Sequence, residues 1–174
     1  VIAFFDSDTG RKIVTLENAA RAAINDQKIE NAARERYFEL EGTDDPRLAQ
    51  VTALIESGDM INRNVTATMN SNLQFMRGLV DGGAAEMTQD DLIADISAQQ
   101  EAITIDTTSW LYGYLLLSYS PLPNDVLDAY IDFSLSEAGV ALNRALFDGF
   151  GAAYEDISYA LGRAVALNVI AEEL

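Results

Sequence analysis

Residues 125–174, DVLDAYIDFSLSEAGVALNRALFDGFGAAYEDISYALGRAVALNVIAEEL, decide the fold of this chain. The first ten residues place Asp125, Asp128 and Asp132 on one face of a helix and apolar side chains on the other. After Ser-Glu-Ala-Gly at 136–139, apolar residues recur three and four positions apart. The stretch therefore predicts two successive amphipathic helices that meet at a corner.

The second of these helices carries a long apolar stripe with glycines inside it. The stripe consists of Leu142, Leu146, Phe150, Ala153, Ile157, Leu161 and Ala164. Gly149, Gly151 and Gly162 lie within the pattern, although a helical glycine costs about 1 kcal/mol relative to alanine. We expect these glycines to allow the close approach of a neighbouring helix.

Helical signals continue through the rest of the chain. Caps are predicted at Ser7, Asp45 with Pro46, and Thr88, and stops at Gly42, Gly58 and Gly82 with Gly83. The apolar run 110–119 is too short to cross a bilayer and predicts a central core helix. A chain of 174 residues with 49% apolar content can bury one substantial core. We therefore predict an all-α fold, a single domain over 1–174 formed by a bundle of seven to nine helices.

The two ends of the chain share a short, weak internal repeat. With an offset of 129, Ile2, Phe4, Ser7 and Gly10 match Ile131, Phe133, Ser136 and Gly139. The repeated unit is an aromatic helix end, then Ser-x-x-Gly, then a new helix. Serine caps the new helix and glycine leaves room for a close neighbour, so Ser7, Gly10, Ser136 and Gly139 are predicted to be structural. Two equivalent corners that pack near each other would explain the pattern.

The composition excludes several kinds of catalytic and structural site. The chain has no cysteine and no histidine, which excludes disulfides, thiol nucleophiles and histidine-based catalysis. Residues 6–10 resemble the start of a calcium loop, but Arg11 stands where that loop needs glycine. Asp91 and Asp95 are one helical turn apart, a spacing common on exposed acidic helices. We expect no catalytic residues, no metal, no cofactor and no enzymatic activity.

The charge is strongly acidic and unevenly distributed. The net charge is −17, and residues 78–174 contain only Arg144 and Arg163 as basic residues against 16 acidic ones. Such a surface repels phosphate backbones and anionic headgroups, so no nucleic-acid partner is expected, and no segment is long enough for a membrane span. Arg163 is expected to form a structural ion pair, and anion recognition is the alternative. Whether the acidic half binds cations is left open.

The motifs of the C-terminal stretch are similar to those of a known family. Residues 128–139, 142–147 and 157–163 resemble the bacterial domain-of-unknown-function 2059 family, and residues 4–10 resemble a further copy of its corner. The resemblance implies an all-helical bacterial protein that is periplasmic or secreted, and it implies no activity. Because the chain opens on Val1 within an apparent helix end, we expect the natural polypeptide to begin upstream, with any export signal removed.

Two functions fit these observations. The first is a non-enzymatic helical protein that binds an unknown protein partner through an exposed part of its helices. The alternative is a carrier of a small apolar ligand within the bundle. Its pocket would be lined by Trp110, Tyr114, Phe147, Phe150 and Tyr154. An exposed apolar patch favours the first function, and a continuous apolar pocket favours the second.

Overall fold

The computed structural model of the chain describes the backbone of residues 1–172 and the side chains of residues 1–169. Over this range it contains nine α-helices and no strand. The helices are α1 (Ile2–Phe5), α2 (Asp8–Ala23), α3 (Gln27–Leu40), α4 (Pro46–Ser57), α5 (Met60–Asp81), α6 (Gln89–Ala98), α7 (Gln100–Tyr119), α8 (Asn124–Leu135) and α9 (Glu137–Glu172). The predicted all-α fold with seven to nine helices is confirmed. Among the described residues, no helix has both the length and the apolar character of a membrane span.

Local capping signals determine where several helices begin and end. The Asp45 carboxylate accepts two amides in the first turn of α4, whose first residue is Pro46. At the start of α6, the Thr88 side chain accepts the Asp91 amide and the Asp91 side chain accepts the Thr88 amide. Gln99 separates α6 from α7. These groups satisfy orphan amides within a few residues along the chain, which is why sequence alone locates them.

The contacts of the chain group it into two compact units. The first unit consists of Val1–Ile61 and Asp106–Arg144, and the second consists of Asn62–Ile105 and the chain from Ala145 onward. The boundaries fall within α5, α7 and α9, so these helices contribute residues to both units. A single domain over 1–174 stays a prediction.

The core of the first unit is built around the apolar half of α7. Within 110–119, the buried residues are Leu111, Gly113, Tyr114, Leu115, Leu116, Ser118 and Tyr119. They cluster with buried side chains of α2, α3, α4 and α8, among them Ile13, Leu54 and Leu127, which are almost inaccessible to solvent. Each such side chain contributes roughly 1.5–3 kcal/mol on burial. Residues 110–119 are therefore the core segment of this unit, as the sequence predicts.

In the second unit, α5 and α9 run in the same direction, and their backbones lie very close together at two glycines. A Cβ atom at Gly78 would overlap the carbonyl oxygen of Tyr159, and one at Gly162 would overlap that of Phe75. The two backbones therefore lie as close as only glycine permits, since any larger residue would push them apart. The close approach predicted at Gly162 is confirmed.

The same prediction is wrong at Gly149 and Gly151. A Cβ atom at either position would meet no heavy atom within 4 Å. Neither glycine is therefore needed for packing against the described residues. Further along α9, Asn70 Nδ2 of α5 donates to Glu155 Oε1 at 3.0 Å.

Candidate functional site

The Ser-x-x-Gly segments form two corners with the same geometry. Ser7 Oγ donates to the Phe4 carbonyl at 2.5 Å, and Ser136 Oγ donates to the Phe133 carbonyl at 2.5 Å. The amides three residues later, those of glycine, donate to the two serine hydroxyls at 3.1 Å in both corners. Each hydroxyl thus satisfies one group of the helix that ends and one of the helix that begins, which is a capping role.

The glycines of the corners are required by close packing. A Cβ atom at Gly10 would overlap the carbonyl oxygen of Phe4, and a Cβ atom at Gly139 would overlap that of Phe133. Both glycines are buried. The Ser-x-x-Gly signature therefore closes a tight turn between helices, and its polar groups are used within the corner.

Aromatic rings join the two corners to each other within the first unit. The rings of Phe4 and Phe133 stack with centroids 4.1 Å apart and planes inclined by 9°. Phe5 contacts Phe133 edge-on at 5.5 Å, and Phe4 lies 5.9 Å from the Tyr130 ring. The two stacked phenylalanines occupy equivalent places in the repeat, so the corners contact each other through equivalent rings.

A polar cluster around Glu17 was not predicted from the sequence. The Tyr119 hydroxyl donates to Glu17 Oε1 at 2.5 Å, and the Tyr130 hydroxyl also bonds the carboxylate. The Tyr114 hydroxyl donates to the Glu17 carbonyl oxygen at 3.1 Å, and the Arg21 guanidinium lies 5.5 Å from the centre of the Tyr114 ring. Three tyrosines from α7 and α8 thus converge on one residue of α2.

Burial is the largest cause of the pKa shifts in this cluster. It raises the pKa of Glu17, although hydrogen bonds from Tyr119 and Tyr130 and the charge of Arg21 act in the opposite direction. It also raises the pKa of both Tyr119 and Tyr130, further supported by the neighbouring Glu17 charge. The cluster therefore holds a carboxyl group that binds its proton more tightly than usual, beside phenols that remain neutral donors.

One sequence signal pointed to Glu17. It lies four residues after Ile13 and three before Ala20, both buried, so it occupies a core position on the inner face of α2. A charged residue at such a position needs partners when buried. Those partners lie about a hundred positions further along the chain, and no local pattern could identify them.

The five residues predicted to line an apolar pocket are divided between the two units. In the first unit, Trp110 and Tyr114 stack with ring centroids 5.2 Å apart. In the second unit, the Arg63 guanidinium lies 5.7 Å from the Phe147 ring centre, and Phe150 and Tyr154 lie side by side at 6.5 Å. The structure therefore pairs Trp110 with Tyr114 and the exposed Phe150 with the exposed Tyr154, whereas Phe147 contacts Arg63, which is not one of the five.

The second unit contains a surface depression elsewhere. It is open to solvent and is lined by Ser97, Ala98, Gln100, Glu101, Thr104 and Ile105. None of the five predicted pocket residues belongs to it.

Across the described residues, no group of three acidic side chains is arranged to hold a metal ion. Asp91 serves in the α6 capping box, and Asp95 accepts a hydrogen bond from Gln99 Nε2 at 3.1 Å.

The polar face of α5 pairs with other residues of its own unit. Asn70 binds Glu155 of α9, and Asn72 Nδ2 lies 3.5 Å from Gln99 Oε1. Near the end of α5, Asp81 Oδ2 accepts the Tyr159 hydroxyl at 2.7 Å. The asparagines at 70 and 72 thus take part in packing within the unit.

The side of α9 that faces away from α5 is an exposed apolar surface. Seven apolar positions, alternately four and three residues apart, are all exposed; we call them the α9 seam. The seam consists of Leu146, Phe150, Ala153, Ile157, Ala160, Ala164 and Leu167. Phe150 and Ile157 expose 61% and 60% of their surfaces, and the exposed Tyr154, Leu161 and Val165 widen the stripe. Single exposed apolar residues are ordinary, whereas a continuous row of this length is uncommon on a protein surface.

The small residues of α9 explain why its larger apolar residues face outward. Gly162 and Ala166 are buried, and a Cβ atom at Gly82, directly after α5, would overlap the Ala166 Cβ. Glu155 and Tyr159 add polar contacts on the same side. The helix therefore packs within its unit through small and polar residues, which leaves the seam uncovered.

Comparisons of the chain with protein-family models, with curated proteins and with solved structures find no match. The resemblance to the domain-of-unknown-function 2059 family therefore stays a prediction.

Proposed function

We propose that this chain is a non-enzymatic helical protein of the bacterial cell envelope that binds another protein through the α9 seam. The single observation that carries the proposal is the exposure of all seven seam positions. Leaving such a row in water is unfavourable, because each buried methylene contributes about 0.8 kcal/mol. A partner that covers the seam would recover this free energy.

The charge of the chain favours a protein partner over a nucleic acid or an anionic membrane. Residues 78–174 contain two basic and 16 acidic residues, and the chain as a whole carries −17. Phosphate groups would be repelled by this field at close range. An apolar helix face on another protein has no such penalty, and its rim can supply cations.

The absence of enzymatic activity and the location rest on other grounds. The chain has neither histidine nor cysteine, which supply the commonest general base and thiol nucleophile. The envelope location, periplasmic or secreted, rests on the resemblance of residues 125–174 to an exported bacterial family. The proposal of binding through the seam does not depend on either inference.

The test compares two double variants with matched changes. Phe150→Asp with Ile157→Asp places two charges on the seam. Phe38→Asp with Ile105→Asp makes the same changes at residues exposed to 57% and 64%, outside the seam. Each purified chain is immobilised, exposed to bacterial envelope extract, and the retained proteins are quantified by mass spectrometry, with unfolding curves to verify folding.

We expect the wild-type chain and the control variant to retain the same partner and the seam variant to lose it by at least tenfold. Two buried apolar side chains of this size contribute several kcal/mol when covered. Equal retention by the seam variant and the wild-type chain would refute the proposal.

A further inference from the structure

We propose that the α9 seam binds the same seam of a second copy of this chain, with the two helices antiparallel. This inference rests on the proposed function, since it requires the seam to be a protein-binding surface. It adds the identity of the partner and the register of the contact. Two properties of the seam support it: the spacing of its residues and the charges that flank it.

The spacing is that of a coiled-coil seam. In heptad notation, Phe150, Ile157 and Ala164 occupy a positions, and the remaining seam residues occupy d positions. Antiparallel pairing brings a positions of one copy level with d positions of the other. Centred on the seam, it sets Ile157 opposite Ala160 of the second copy, Ala153 opposite Ala164, and Phe150 opposite Leu167. The pairs Ile157 with Ala160 and Ala153 with Ala164 each contain at least one alanine, so the two helices can approach closely at these pairs.

The flanking charges distinguish antiparallel from parallel pairing. Asp156 and Arg163 both occupy g positions and both are exposed. In the antiparallel register, Asp156 of each copy lies beside Arg163 of the other, which forms two equivalent ion pairs. In a parallel dimer, Asp156 would lie beside Leu161 and Arg163 beside Asn168, with no ion pair at either place.

The placement of these charges makes the seam complementary to a second copy. Arg163 is the one basic residue in the sequence from 145 to 174. Its position, seven residues from Asp156, is the spacing that makes the seam complementary to itself in the centred register. On the opposite flank, Tyr154 comes beside Leu161 of the second copy, which extends the apolar contact. A twofold interface of this kind closes on itself and gives a dimer.

Cross-linking tests the register, because the chain has no cysteine of its own. Ala153→Cys and Ala164→Cys are made as separate full-length variants and mixed under mild oxidation. In the antiparallel register these two positions face each other, so the mixture is expected to form a covalent dimer. Each variant alone is expected to form little, because two cysteines at position 153 would lie about 16 Å apart along the helix axis, at 1.5 Å per residue. Cross-linking of each variant with itself would overturn the antiparallel register.

A charge exchange tests the partner. Asp156→Arg and Arg163→Asp, made singly, each turn two attractive pairs into two repulsive ones. We expect the dissociation constant of the dimer, measured by sedimentation equilibrium at 150 mM salt, to rise about tenfold in each case. The variant carrying both changes keeps the net charge and restores the pairs, so its dissociation constant should return to within about threefold of the wild-type value.

Matched control variants separate the effect of the ion pair from the effect of the net charge. Asp148→Arg and Arg144→Asp change the net charge by the same amounts at exposed positions of α9 outside the seam and its flanks. They should change the dissociation constant by no more than about threefold, the scale of a screened long-range effect. Equal effects at the control and flank positions would overturn the pairing of Asp156 with Arg163.

Failure of this inference can be told apart from failure of the proposed function. A wild-type chain that stays monomeric at millimolar concentration overturns self-pairing. If the Phe150→Asp with Ile157→Asp variant then still loses an envelope protein, binding through the seam stands with a different partner. Seam-dependent flotation of the monomer with phosphatidylcholine vesicles would overturn self-pairing in favour of a lipid surface. A chain that shows neither dimer nor seam-dependent partner overturns both proposals.

Discussion

The ring of Phe4 lies flat against the ring of Phe133, with centroids 4.1 Å apart and planes inclined by only 9°. The two residues are 129 positions apart and hold the same place in the two Ser-x-x-Gly corners. Each also gives its carbonyl oxygen to the capping serine of its own corner. The stacked pair therefore links the N-terminal helix pair to the α8–α9 corner in the first unit.

This contact should be measurable as a coupling between the two rings. Phe4→Leu and Phe133→Leu should each lower the free energy of unfolding. The loss in the double variant should be smaller than the sum of the two single losses by about 0.5–1.5 kcal/mol. Leucine keeps most of the apolar surface, so the cycle isolates the stacking term. Urea unfolding of the four proteins gives the coupling energy. A coupling of zero would mean that the stack contributes nothing beyond burial.

The capping serines should contribute equally. Because the two hydroxyls make bonds of the same length, Ser7→Ala and Ser136→Ala should each lower the free energy of unfolding by about 1 kcal/mol. Ser97→Ala, at an exposed position within α6, should cost nothing measurable. Urea unfolding at neutral pH makes the comparison. A loss at Ser7 and none at Ser136 would contradict the equivalence of the corners.

Sequence alone could predict the parts of the fold that depend on near neighbours. Thr88 and Asp91 cap α6 through bonds between residues three positions apart, and the same holds for Ser7 with Gly10. For α9, by contrast, periodicity showed an apolar stripe but could not show that the helix packs through its other side. That choice depends on how closely the backbone of α5 approaches at Gly162. The cluster around Glu17 was missed for the same reason, since its tyrosines come from helices far along the chain.

The raised pKa of Glu17 makes a prediction about stability and pH. Its ordinary pKa is 4.5, and burial raises it in the folded chain. The folded state therefore binds the proton more tightly than the unfolded state. The stability that Glu17 adds is fully present below pH 4.5 and is lost as the pH rises through its folded-state pKa.

A comparison with Glu17→Gln measures this effect. Glutamine does not titrate, so the stability of the wild-type chain relative to this variant should fall between pH 4.5 and the folded-state pKa, and be constant outside that window. Glu35→Gln changes an exposed glutamate of α3 and is the control. Urea unfolding in steps of half a pH unit gives the curve. A wild-type chain that gains stability relative to Glu17→Gln over the window would mean that hydrogen bonds outweigh burial at this carboxyl group.

The glycines of α9 should respond to substitution in opposite directions. Alanine at Gly162 would overlap the Phe75 carbonyl oxygen and force α5 and α9 apart, so Gly162→Ala should cost about 1–3 kcal/mol. Alanine at Gly149 or Gly151 meets open space. Those two changes should each stabilise the chain by about 0.5–1 kcal/mol, because alanine orders a helix at a smaller entropic cost.

The three variants serve as controls for one another, since each makes the same chemical change within the same helix. Thermal unfolding followed by circular dichroism should place their midpoints on opposite sides of the wild-type value. If Gly149→Ala and Gly151→Ala also lowered the midpoint, a surface would have to cover that part of α9 in solution. Because Gly149 adjoins Phe150 of the seam, destabilisation at Gly149 that grows with protein concentration would place that surface at the seam.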